Sequence, residues 1–92
     1  MPSILLPDSG AQVELKDHIN LKMKELRAWM DAERSADLQA QYAFIAPCIE
    51  SWTLNELDPS DPDSLDELEM GDYFTISRAI SGIIRRTQAE KN

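Results

Sequence analysis

Eight carboxylates and no cation fall between residues 55 and 72, in a chain of 92 residues whose formal net charge is −8. Such a run could serve cation binding, acid–base catalysis or mimicry of a phosphate backbone. A calcium loop of the EF-hand type needs oxygen ligands at alternate positions, a central glycine and a bidentate Glu at the twelfth position. Counted from Asp58, the third and fifth positions are Ser60 and Pro62, and no glycine stands where the turn needs one. Counted from Asp61, the fifth position is Leu65. The ligand spacing fails, so a solvated loop is the expectation and no metal is expected.

Acid–base work by paired carboxylates needs a cleft that drives their pKa values apart. Pro59 and Pro62 make this stretch turn-rich, and a small domain can hardly enclose it. His18 is the only histidine and Cys48 the only cysteine. There is no Ser-His-Asp spacing, glycine-rich phosphate loop or ligand pair on a helix face, so neither an enzyme nor a cofactor is expected. One cysteine excludes an internal disulfide, and Cys48 reads as a small apolar residue on a helix. An acidic chain lacks the clustered Lys and Arg that release counterions from nucleic acid. The longest apolar run is far short of a membrane span, and no basic start leads into an apolar signal core. A soluble cytoplasmic protein is expected.

The elements that must hold these residues form one domain over 1–92. Ser3 to Leu6 is apolar, Pro7-Asp8-Ser9-Gly10 is turn chemistry, and Ala11 to Lys16 alternates apolar and polar. That predicts a β-hairpin over 3–16, which must pack on helices or extend a partner's sheet. A helical region is expected over 18–87. Its first helix, 18–33, is capped by Asp17 and buries Ile19, Met23, Leu26 and Met30 with Trp29 beside them. The second is capped by Ser35 or Asp37 and repeats that spacing at Leu38, Tyr42, Ile45 and Ile49. Pro47 must kink or end it near Ala46, leaving residues 48–54 to run extended. An acidic loop at 55–63 leads to Ser64, which opens a capping box with Glu67, and Gly71 stops that short helix. Asp72 starts a last helix to about residue 87, and 88–92 fray. The fold class is mainly α: about four helices, the second kinked near Pro47, with an N-terminal hairpin.

Two features suggest contact with other chains. Tyr73, Ile76, Ile80, Ile83 and Ile84 form a narrow stripe on the last helix, flanked by Arg78, Arg85 and Arg86, suited to pairing with a copy or with a partner's helix. From residue 73 onward there are four cations and one acid, so the acidic loop of one subunit could meet the basic tail of another. Trp52 leads into the polar loop as a candidate anchor. Trp29 reads as core, and Met23 and Met30 as packing rather than as an adaptable groove.

The order of these pieces is similar to that of the tail assembly chaperones of long-tailed siphophages and their prophages, over roughly residues 10–86. The matching residues are Ile49-Glu50-Ser51-Trp52-Thr53-Leu54, then Asp58-Pro59 and Asp61-Pro62-Asp63, then Ser64-Leu65-Asp66-Glu67-Leu68. The resemblance implies a protein that coats the hydrophobic tape-measure protein before the tail polymerises. It keeps that partner soluble and helps recruit tail-tube subunits. Such a protein acts in the cytoplasm of the infected bacterial host and is absent from the mature virion. Two alternatives fit size and charge: a phage-encoded inhibitor that mimics nucleic acid against a host defence nuclease, and a structural tail or neck component. A mimic should spread its carboxylates over a folded face, whereas here they crowd one proline-broken stretch.

Overall fold

Gly10, at φ 76°, turns the chain back on itself. Its N–H donates to the Leu6 carbonyl at 3.0 Å, and the Leu6 N–H donates to the Ala11 carbonyl at 2.8 Å. The computed structural model describes residues 2–91, and side chains only as far as Arg86. Strands β1 (Ser3–Leu5) and β2 (Gln12–Leu15) flank the turn and pair antiparallel, Ile4 opposite Val13, as the alternation predicts.

Helix α1 spans Met23–Ser35, five residues later than its expected start at 18. The segment before it is irregular and buries Ile19, so the helix does not begin at Asp17. The helix opens instead after Lys22, whose N–H donates to the Glu25 carboxylate at 3.1 Å. Its buried face is Trp29 and Ala32, whereas Met23 and Met30 are exposed. The late start moves the stripe's first member, Ile19, off the helix, and the Trp29 ring turns inward in place of the methionines. Trp29 is core, as expected, and stacks on Phe44 with ring centroids 4.7 Å apart. Ala36 ends the helix in the left-handed conformation, φ 56°.

Asp37 caps α2 (Leu38–Ile45) by accepting the Ala40 N–H at 3.2 Å. Pro47 has the predicted effect. The α-helix ends at Ile45, Ala46–Cys48 form a 3-10 turn, and the chain then extends. That extended piece is strand β3 (Ile49–Trp52), which pairs antiparallel with β2, Val13 opposite Trp52 and Leu15 opposite Ile49. The hairpin thus gains its third strand from its own chain, giving a sheet of order β1-β2-β3. A register shift at Glu14/Leu15 leaves Glu50 bulged out of the ladder.

After the acidic loop comes a 3-10 helix at Pro62–Glu67, not an α-helix opened by Ser64. Pro62 presets φ for its first turn, and the Asp61 carboxylate accepts the Asp63 N–H at 3.0 Å, so the cap falls three residues early. Helix α3 then runs Met70–Lys91, with Gly71 inside it. The glycine stops no helix here: the 3-10 helix has already ended at Glu67, and Gly71 lies in the first turn of α3. Asp72 is 1% exposed, and its two carboxylate oxygens accept the N–H groups of Asp8 at 2.7 Å and Ser9 at 3.1 Å. The backbone continues past the expected end near 87. Of the frayed tail expected at 88–92, the side chains and Asn92 lie outside the described residues.

The core lies between the inner face of the sheet and the helices: Leu6, Val13, Leu15, Ile45 and Leu65 meet Ile76 and Ile80 of α3, all with no more than 1% exposure. The molecule is therefore mainly helical with an N-terminal hairpin, as the sequence predicts.

The Asp72 contact sets a test. Replacing Asp72 by Ala leaves two turn N–H groups without acceptors and should lower stability by about 3 kcal/mol, with Tm falling by roughly 15 °C. Asp72→Asn should lose most of that too, because its amide NH₂ opposes one of the two donors. Gly71→Ala should change stability by under about 1 kcal/mol: its Cβ meets only the free end of the exposed Asp8 side chain, and helix propensity improves by a similar amount. Thermal denaturation of the three variants reads all of this.

Candidate helix-binding groove

The acidic run that suggests a metal loop is occupied with its own hydrogen bonds. Asp58 accepts from the Ser60 hydroxyl at 2.7 Å and the Ser60 N–H at 3.0 Å. Those two bonds, the hydroxyl foremost, lower the Asp58 pKa. Asp61 caps the 3-10 helix, Asp66 accepts the Tyr42 hydroxyl at 3.0 Å, and Asp72 holds the hairpin turn. Among the described residues no group of three or more His, Cys, Asp or Glu converges as metal ligands. Trp52 is half-buried, and its indole N–H donates to the Leu57 carbonyl at 3.0 Å, tying the start of the loop to β3.

The isoleucine stripe faces the core of its own chain. Tyr73, Ile76, Ile80, Ile83 and Ile84 are all buried within the single chain. A stripe of that spacing can cover a partner or complete a core, and here sheet and helices of the same chain already cover it. Arg85 and Arg86 stay exposed at its edge.

What the fold leaves open is a different surface. Among the described residues, six large apolar side chains are between 44% and 74% exposed: Leu5, Met23, Met30, Leu38, Met70 and Phe74. Three of them, Met30, Leu38 and Phe74, line one groove. At one end, Ala36 and Leu38 face Phe74, Ser77 and Arg78 across an opening of about 730 Å³, with Glu33 on the near lip. Glu33 also borders a smaller hollow of about 230 Å³, where Leu26 and Met30 face Ser81 and Arg85. One wall is therefore α1 (Leu26, Met30, Glu33), and the other is α3 (Phe74, Ser77, Ser81, Arg85). Helical spacing puts Met70 one turn before Phe74 on the α3 wall, and Met23 two turns before Met30 on the α1 wall. From Phe74 to Arg85 the groove runs about 16 Å, three helical turns.

A buried polar chain sets the position of its walls. Gln41 of α2 donates from its amide nitrogen to the Ala32 carbonyl of α1 at 3.0 Å, and its amide oxygen accepts the Tyr73 hydroxyl of α3 at 2.6 Å. All three helices are thereby linked beneath the groove, with Gln41 at its floor. Tyr42 and Tyr73 meet edge-to-face at 5.4 Å. Burial foremost, then the nearby Tyr42 and Glu33, pushes the Tyr73 phenol above its ordinary range. Burial and the Asp66 bond raise Tyr42.

Walls of Met, Leu and Phe beside serines offer an adaptable apolar trough, and methionine fits partners of varied shape. Cys48 lies outside the groove's walls and is buried. Its Sγ is 3.4 Å from the Phe44 carbonyl, and burial pushes its pKa to about 11. The sequence conceals the groove because Met23, Met30 and Leu38 match the same 3.6-residue spacing as true core positions. In comparisons with known proteins, no family, no curated sequence and no solved structure matches this chain.

Two outcomes follow from this chemistry. At pH 8 the native Cys48 is thiolate in about one molecule in a thousand, so iodoacetamide should alkylate it at least about a hundredfold more slowly than in the unfolded chain. The Tyr73 phenol is neutral in the fold, so its contribution is complete below the unfolded value near 10 and fades as pH rises beyond it. Tyr73→Phe should cost about 1–2 kcal/mol at neutral pH by leaving the Gln41 oxygen unpartnered, and should make the decline above pH 10 shallower. Urea melts at pH 7 and 10.5 test both effects.

Proposed function

We propose that this protein is a helix-binding protein that holds an amphipathic or apolar helical client in the α1/α3 groove. The observation that carries this reading is the groove itself: three turns long, walled by exposed Met30, Leu38 and Phe74, on a chain whose other large apolar residues are mostly buried. A contiguous apolar surface on a small acidic protein marks a place for a partner. The net charge of −8 supplies solubility to whatever complex forms.

With the likeness of the stretch 49–68 to siphophage tail assembly chaperones, the specific reading is a phage tail assembly chaperone. Its client is the tape-measure protein, a long helical chain with exposed apolar faces. Covering those faces in the host cytoplasm keeps the client soluble until tail-tube subunits are recruited, and the chaperone then leaves before the virion is complete. Three methionines on or beside the groove suit a client whose successive helical segments differ in sequence. No helix among the described residues is long and apolar enough to cross a membrane.

Co-expression with the tape-measure protein tests the reading. The wild-type chain should move that protein into the soluble fraction, and Leu38→Asp with Phe74→Asp should abolish the effect. Both positions are exposed, so the doubly substituted chain should keep its native circular dichroism. A tape measure equally insoluble with and without the wild-type chain would overturn the proposal.

A further inference from the structure

The two walls of the groove carry opposite charge. Glu33 stands on the α1 lip, while Arg78 and Arg85 stand on the α3 wall. Among the described residues neither Glu33 nor Arg78 makes an ion pair; the Arg78 Nε–H is directed to the Phe74 carbonyl at 3.4 Å. The carboxylates of the acidic loop lie elsewhere in sequence, and residues 73–86 contain three arginines and no acid. At the wide end of the groove the Glu33 charge is matched by Arg78, and Arg85 adds one further positive charge, on a chain that is acidic overall.

A surface with one acidic and one basic wall is complementary to itself. A twofold axis along the groove places α1 of one copy over α3 of the other at the same level. Glu33 of each then faces Arg78 of its mate, and the Leu38 end of each meets the other's Phe74. We propose that, without a client, the groove is closed by a second copy of this chain. The two copies form an isologous dimer whose ion pairs are Glu33 with Arg78, made twice. The pairing covers the apolar side chains that the groove exposes, Met30, Leu38 and Phe74. It does not depend on the client's identity; where a helical client also binds, it competes with the second copy for the same walls.

The contact is small, about three turns of two helices from each copy, so a dissociation constant in the micromolar range is expected. Sedimentation equilibrium of the full chain from about 1 μM to 1 mM measures it. Glu33→Arg reduces the net charge of each subunit, so general repulsion predicts tighter association for this variant. The proposed pairing predicts the reverse: Glu33→Arg and Arg78→Glu should each weaken the dimer about tenfold or more, and the double exchange should restore it. Phe74→Ser, at an exposed position, should give a monomer with an unchanged circular dichroism spectrum. A chain monomeric throughout that range, or a dimer indifferent to the charge exchange, overturns the inference. Tape-measure solubilisation is read separately, so either result leaves the chaperone reading to its own test.

Discussion

Asp72 carries its charge to the inside of the molecule because two N–H groups of the hairpin turn are there to receive it, 64 and 63 residues away in sequence. A buried carboxylate without such donors would be strongly unfavourable. This contact fixes where α3 begins against the sheet and which way it is rotated. With Asp72 and Tyr73 inward, a 3.6-residue repeat brings Ile76, Ile80, Ile83 and Ile84 inward too, against Leu6, Val13 and Leu15. The same rotation leaves Met70, Phe74, Arg78 and Arg85 outward. Core and groove are two consequences of one setting of α3.

The groove combines a fixed floor with soft walls. The Ala32–Gln41–Tyr73 chain is fully hydrogen-bonded and joins three helices, so the distance between the walls is held by groups that cannot part without leaving a buried donor or acceptor unmatched. Above it, Met30 and Phe74 remain about half exposed. That division suits a surface meant to hold helices of unlike sequence, or a second copy when none is present.

Local signals were legible where a residue's own covalent geometry decides the outcome. Pro47 ends α2 and Gly10 takes the turn's positive φ, as read from residue type and spacing, and Asp37 is the one of two candidate residues that caps α2. Alternation in residues 11–16 placed the hairpin, and the stripe from Tyr73 to Ile84 marked the apolar face of α3 without saying what covers it. The misreadings came where a distant partner decides. Ile19 fits a helical stripe but is buried from an irregular segment ahead of α1. Gly71 reads as a stop, yet the short helix ends before it at Glu67 and α3 begins at Met70. Ser64 has capping-box spacing, but Pro62 starts the turn first. The groove was the least legible part, because Met23, Met30 and Leu38 satisfy the same periodicity as buried residues.

By itself the sequence determined the alphabet of the fold: a hairpin, a proline-ended second helix, an acidic loop and a long amphipathic last helix. These follow from dihedral limits and hydrophobic period, which act within a few residues. Tertiary structure alone decided that 49–52 completes the chain's own sheet, that the acids of 58–72 serve as caps and clamps, and that the isoleucine stripe is core while Phe74 and the methionines face outward. Those outcomes depend on which donor meets which acceptor across 20 to 60 residues and on the rotation of each helix about its axis. Periodicity gives an apolar stripe its width, but only packing decides whether that stripe is covered by its own chain or left for another.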